Sequence, residues 1–492
     1  MLFNSLIYLS FFIIVFILYY LVSDKYRYIV LLIASYIFYG YANINYIAIL
    51  LGITTISYFS GYIIAKTDNV KTKKVTITIS IIISIGILIY FKYLSFIVES
   101  LNMILKQNIQ INNILVPLGI SFFTLQAITY PIDLYRKQQL PERNFLKFAL
   151  FVAFFPQLLS GPIGKSKEML PQYSEKHKFN GKEVYTGLII VLYGYFQKLV
   201  IADLLALGVN NVYNNLYEYQ GIPLLLIVFL YSFQIYFDFA SYSNIARGSA
   251  KMLGYNLTNN FNSPYLADSI KTFWGRWHIS LSTWFKEYLY FPLGGNRKGK
   301  VRTYINLLIV FLVSGLWHGA YYTYIIWGLL HGIYQILERI INKKSRYKVI
   351  NIIITFILVT FAWIFFRANT LADAIYVIKN MFNINFINIK NQIINIGFDK
   401  YDLIVLSISM ISVFIMEVIN EKRKILTFFC QKNDYLKAIF VLMLAFTIII
   451  FGHYGPGFDN SQFIYLGYWG AHEKEKNNYC HYDNYNIYNW SW

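Results

Sequence analysis

VINIIITFILVTFAWIFF, residues Val349 to Phe366, contains eighteen residues without a charge or a proline. As a helix it would rise about 27 Å, close to the ~30 Å hydrocarbon core of a bilayer. Two further blocks have the same character: LIYLSFFIIVFILYYLV (Leu6 to Val22) and VTITISIIISIGILIYF (Val75 to Phe91). Over 492 residues the chain is 57% hydrophobic and 14% charged, with mean hydropathy +0.46. A soluble chain carries about a quarter charged residues. The pattern predicts an all-α integral membrane protein, a multi-span helical bundle. The first block lacks a basic leader and a small-residue cleavage site, so it reads as the first span rather than a signal peptide.

The net charge of +19 lies between the apolar blocks, which points to membrane topology and away from nucleic acid. Basic stretches follow the first span (Ser23 to Arg27) and recur at Lys66 to Lys74, Arg136 to Lys147, Lys165 to Lys182 and Arg247 to Lys251. Gly294 to Arg302, Asn342 to Lys348 and Glu421 to Lys424 continue the series. Excess Lys and Arg mark the cytoplasmic side. Leu207 to Gly221 and Tyr41 to Asn45 contain neither and belong outside. The hydrophilic insert Ala368 to Lys400 is also placed outside. The ladder closes with about 11–12 spans at ~20 residues per crossing, both termini outside.

Two stretches do not fit as simple crossings. Phe148 to Gly164 is flanked by basic loops on both sides and broken by Pro156 and Gly161-Pro162. Pro264 to Pro292 is rich in aromatics but carries Lys271, Arg276, Lys286 and Glu287. Both read as re-entrant or interfacial helices. In the second, Trp274, Trp277 or His278, Leu281, Trp284 and Tyr288 recur at three- or four-residue spacing, predicting one helix face. Non-helical backbone at membrane depth must be buried in protein or line a wet cavity.

Ionisable side chains inside spans are rare and mark function by default. SGLWHGAYYTYIIWGLLHG (Ser314 to Gly332) holds two of the chain's seven histidines. His318 lies between Gly315 and Gly319, which would admit a substrate or another helix. A neutral imidazole can accept a proton near pH 7, whereas a core histidine bonded to a neighbouring helix would look the same. His331 reads as packing or support, separated from His318 by a turn near Ala320. His278 sits among tryptophans that an interfacial belt would explain, although a belt does not explain the histidine. Asp238, with Gln234, Ser241, Ser243 and Asn244, reads as a structural hydrogen-bond network, and Asp133 with Arg136 as a helix-end ion pair. Cys430 and Cys480 make neither a metal framework nor a disulfide pattern. No H-E-x-x-H or G-x-S-x-G occurs.

Five stretches together resemble the membrane-bound O-acyltransferase (MBOAT) family, in its bacterial alginate and peptidoglycan O-acetylation branch. They are Val116 to Arg136, Phe154 to Ile163, Phe237 to Leu257, Asn260 to Gly299 and Ser314 to Gly332. The resemblance implies a bundle around a through-membrane tunnel with re-entrant helices near the cytoplasm. It implies that His318, in W-H-G, is catalytic and that His278, in R-W-H-x-S-x-S, is the second active-site position. His318 would act as general base on an acceptor hydroxyl. His278 would orient a thioester or steady its oxyanion.

The implied donor is acetyl-CoA, with no bound cofactor and no metal. Arg297, Lys298, Lys300 and Arg302 suit CoA phosphates, but topology explains them equally well. The implied partners are the lipid bilayer, an exported SGNH-type acetyltransferase, and a polysaccharide or carrier acceptor. The implied location is the inner (cytoplasmic) membrane of a bacterial cell. D-alanyl transfer to teichoic acid is a sister reading with the same histidines. A transporter or flippase is a reading from another class, weakened by the absence of related halves. The resemblance runs to about Tyr465, giving an acyltransferase domain over 1–465. Residues 466–492, with His472, Cys480 and His481, are an atypical tail of the kind a frameshift produces.

Overall fold

The computed structural model describes residues 1–112, 114–341, 346–422 and 434–454. The tail at 466–492, both cysteines and parts of the basic stretches at 342–348 and 421–424 lie outside the described residues. Helices alone are formed there, with no strand among the described residues.

The first third contains α1 (Leu6–Leu21), α2 (Arg27–Gly40), α3 (Tyr46–Lys66), α4 (Val70–Leu105) and α5 (Ile120–Tyr135). Short helices follow: α6 (Phe145–Ala153), α7 (Phe155–Leu158) and α8 (Ser166–Met169). The central region has α9 (Gly181–Tyr195), α10 (Asp203–Asn214) and α11 (Ile222–Met252), then the short α12 (Ile270–Trp274) and α13 (Ile279–Trp284). The last third has α14 (Gly299–His318), α15 (Tyr322–Ile341), α16 (Lys348–Arg367), α17 (Leu371–Asn380), α18 (Ile389–Ile394), α19 (Lys400–Lys422) and α20 (Asp434–Phe451).

By length and composition, seven described helical runs can cross a membrane: α3, α4, the run Gly181–Asn214, α11, α14, α16 and α19. Adding α1, α2, α5, α15 and α20 to those seven brings the helices laid between the basic loops to twelve. Their outer faces are aliphatic, as at Ile82, Ile357 and Ile408. A polar solvent would not favour such a surface; a hydrocarbon one does.

Helix–helix contacts rest on small residues, as expected where lipid tails compete with side chains for apolar contact. A Cβ on Gly187 of α9 would lie 2.7 Å from the Gly248 carbonyl oxygen of α11, and one on Gly194 would lie 2.9 Å from that of Ser241. α14 and α15 meet the same way. A Cβ on Gly315 would lie 2.3 Å from the Tyr324 carbonyl oxygen, and one on Gly328 2.3 Å from that of Phe311. Gly315 therefore admits a helix, not a substrate.

The two stretches that resisted a span reading are broken, buried helices. From Phe148 to Ile163 every side chain is buried, and the chain turns between α6 and α7 at Phe154. The single helix face expected through residues 274–288 does not exist. α12 ends at Trp274, and His278 takes a left-handed backbone (φ 43°) that starts α13 on a new axis. The Ile279 N–H donates to the Asn260 carbonyl at 3.0 Å, so a tertiary partner replaces the helical one.

Two π-helical turns follow α9 (Phe196–Ala202) and α13 (Phe285–Tyr290). The first turns Lys198 inward, where its ammonium lies 2.6 Å from Asp238 and 2.8 Å from Asp203. Asn244 donates to Gln197, and Asn260 to Ser243. The polar patch on α11 is thus part of a structural network, with a lysine partner the apolar pattern concealed. Asp133 and Arg136 do not form the expected simple pair. The Asp133 carboxylate accepts the Tyr288 hydroxyl at 2.9 Å, while Arg136 donates to the Glu287 carbonyl and covers the Tyr288 ring.

Candidate active site

α14 runs from the basic loop at Gly299 to His318, its last helical residue. Nineteen rises of 1.5 Å place that histidine about 28 Å from the basic end. Gly319 follows in extended conformation, and α15 turns back over it. A Cβ on Gly319 would collide with the Tyr324 ring at 2.2 Å, so the reversal needs glycine there.

His278 reaches the same place from the broken segment. Its ring lies edge-on to Trp317, centroids 6.0 Å apart, and the Trp317 ring is 4.9 Å from that of His318. Phe239 of α11 and Phe122 of α5 cover it at 4.6 and 6.3 Å. The segment therefore dips to the far end of α14 and returns to the basic loop.

His331 of α15 completes the cluster. Trp327 stands between His318 and His331, 5.0 Å from each. The Trp274 indole donates to His331 Nδ1 at 3.2 Å, which assigns the ring proton to Nε2 in the neutral form. His331, read from the sequence as packing or support, is anchored by Trp274. His278 and His331 are fully buried, whereas His318 keeps 5% of its surface uncovered. The Nε2 atom of His318 is itself buried. Neither of the two described cavities is lined by any of these histidines.

Two residues at this site were missed in the sequence. The ammonium of Lys92, on α4, donates to the Trp317 carbonyl and lies 3.4 Å from the Ser121 hydroxyl. Its neighbour Tyr93 donates to the Leu316 carbonyl at 2.8 Å. The last carbonyls of a helix have no intrahelical partner, and a cation there is favourable. α4 thus fastens the end of α14 that carries His318. Lys92, His278 and His331 all lie within electrostatic reach of the His318 ring. Lys92 was legible only as a residue just past an apolar block, where a span was expected to stop; α4 instead continues to Leu105.

Among the described residues no three His, Cys, Asp or Glu side chains form a group that could hold a metal. The arrangement offers buried imidazoles inside an aromatic shell, one of them anchored by an indole. Such groups can take up a proton and donate a hydrogen bond to a developing oxyanion, the two needs of acyl transfer.

Comparison with known proteins leads to the same chemistry. The profile of the membrane-bound O-acyltransferase family, MBOAT, matches residues 87–372, which include all three histidines and Lys92. The chain is 39% identical over 394 residues to the probable alginate O-acetylase AlgI of Pseudomonas aeruginosa, covering 78% of this chain and 75% of that one. It is 38% identical over 387 residues to the peptidoglycan O-acetyltransferase of Helicobacter pylori, covering 72% and 73%. Similarity to the teichoic acid D-alanyltransferase of Bacillus subtilis is lower, 31% over 289 residues, covering 52% and 69%. The bundle, the buried histidines at the end of α14 and these relationships together place the chain in the membrane-bound O-acyltransferase family, as a multi-span O-acyltransferase.

Proposed function

We propose that the protein passes an acetyl group from a cytoplasmic thioester donor, acetyl-CoA, through the bacterial cytoplasmic membrane for O-acetylation of an exported or cell-wall polysaccharide. The observation that carries this reading is the meeting of His278 and His318 around Trp317 at the far end of α14. Relatives named for alginate and peptidoglycan O-acetylation, matched over 72–78% of this chain, support acetyl over D-alanyl transfer. The match to the D-alanyltransferase of Bacillus subtilis covers 52%.

In this reading His318 removes the proton from the acceptor hydroxyl as its oxygen attacks the thioester carbonyl. The C–O bond forms, the C–S bond breaks, and the proton leaves with the thiol. A positioned base of this kind contributes typically 10²–10⁴ in rate. His278 faces the developing oxyanion, where one donor is worth about 3 kcal/mol. Lys92 and Tyr93 hold the His318 backbone and act as positioning residues. In this reading donor and acceptor reach His318 through a passage in the bundle. The immediate acceptor is the polymer itself or an exported SGNH-type acetyltransferase that completes the transfer. Residues 1–465 act as one acyltransferase domain.

The test is the O-acetyl content of cell wall and exopolysaccharide in cells carrying wild type, His318→Ala, or no gene. Loss of ester acetate in both altered strains is expected. Equal acetate in all three would sink the function. Normal acetate with His318→Ala alone would remove the base.

A further inference from the structure

A second site lies away from the histidines. An open cavity of about 130 Å³ lies between the paired helices α9 and α11 and the helices α19 and α20. On α11 the wall is Tyr236, Ala240, Asn244 and Arg247, spaced by four, four and three residues along one helix face. That stripe is about 16 Å long. Across it stand Glu417 and Asn420 of α19 and Phe440 of α20. Ile189 and Ile190 of α9, with Phe261, line the apolar part.

Arg247 is the unusual member. Its Nη1 donates to the Asn244 and Asn259 amide oxygens at 3.2 and 2.9 Å, both neutral acceptors. Among the described residues no carboxylate answers its charge. Nearby cations are answered: Arg276 and Lys348 by Glu421, Lys251 by Glu183. A guanidinium presents five N–H donors in a fork suited to phosphate. Glu417, on the opposite wall, accepts the Tyr236 hydroxyl. Arg247 sits five residues before the end of α11 at Met252, about 7.5 Å inside the basic end of the bundle, near headgroup and glycerol level, and Glu417 lines the cavity opposite it. The outer face of α19, with Ile404, Ile408, Ile411 and Ile415, is exposed and aliphatic, so lipid surrounds the helix that forms one wall.

We infer that this cavity is a phospholipid site that selects a headgroup bearing both a phosphate and an ammonium. The phosphate sits on Arg247, the ammonium faces Glu417, and one acyl chain runs along Ile190 and Phe440. A nucleotide thioester carries phosphate as well, but it has no ammonium for Glu417 and no long chain for the apolar wall.

The test is native mass spectrometry and ligand titration of the full-length protein, stripped of lipid in mild detergent. The probes are phosphatidylethanolamine, phosphatidylglycerol and acetyl-CoA. Wild type is expected to bind one phosphatidylethanolamine at least tenfold more tightly than phosphatidylglycerol, and acetyl-CoA should not displace it. R247Q should lose at least tenfold in affinity for both lipids, R247K less, and E417Q should erase the preference between them. His318→Ala should bind lipid as wild type does, so this result stands apart from the acyl-transfer reading. No phospholipid bound by wild type on titration, displacement by acetyl-CoA, or unchanged binding by R247Q would each overturn the site. An unchanged preference in E417Q would overturn the zwitterion selection.

Discussion

His278 combines two demands that pull in different directions. Its backbone is left-handed, which costs a residue with a Cβ roughly 1–2 kcal/mol. Its ring is buried among Phe122, Phe239 and Trp317. Glycine would satisfy the backbone and asparagine would tolerate it, but neither supplies an imidazole. Strain kept at one non-glycine residue inside a buried histidine cluster is the kind that functional sites hold. The two demands can be separated by substitution. His278→Gly should keep the thermal midpoint close to wild type while acetyl transfer falls about 10²-fold, the loss expected for one oxyanion donor. His278→Ala should lose the same activity and also unfold a few degrees earlier. Transfer at wild-type rate by His278→Gly in purified membranes would show that the ring only fills space.

At the scale of elements, the end of α14 is held from α4. Lys92 and Tyr93 satisfy the carbonyls of Trp317 and Leu316, one and two residues before the candidate base. A hydrogen bond from a charged donor is worth about 1.5–3 kcal/mol, and one from a neutral hydroxyl about 1 kcal/mol. Lys92→Met should therefore lower kcat for acetyl transfer about tenfold or more with little change in KM. Lys92→Arg should recover part of it, and Tyr93→Phe should lose less. A drop in the amount of folded protein, with normal kcat per folded molecule, would assign α4 a purely structural role. Neither residue stood out in the sequence. Hydrocarbon imposes its requirement residue by residue, so the apolar blocks and basic loops were legible from local pattern. The turn at His278 was not, because the loop residue Asn260, on the other side of α12, supplies the bond that allows it. Lys92 was hidden for a related reason. A lysine after seventeen uncharged residues reads as the end of a span, and only the position of α14 shows that it points into protein. The histidines were visible singly, but their convergence depends on a segment that dips and returns.

For the whole molecule, the charge ladder and the fold must agree on one orientation. Asn215 lies beyond α10 in a stretch without Lys or Arg, and Asn296 lies among Arg297, Lys298 and Lys300. Both side chains are exposed. The bias of Lys and Arg toward the cytoplasm places Asn215 outside and Asn296 inside. α14 begins beside Asn296 and ends at His318 about 28 Å away, so this orientation puts the candidate base toward the exterior. His278 stands beside it, while the segment that carries His278 returns to the cytoplasmic loop. A donor from the cytoplasm and an acceptor from outside would then approach the same rings from opposite sides. With Cys430 and Cys480 replaced by serine, Asn215→Cys should react with a membrane-impermeant maleimide in intact cells. Asn296→Cys should react only after the membrane is opened. The reverse pattern would turn the bundle over and place His318 toward the cytoplasm. The proposed cytoplasmic donor and exported acceptor would then have to exchange the sides on which they meet the histidines, which the proposed direction of acetyl transfer does not allow.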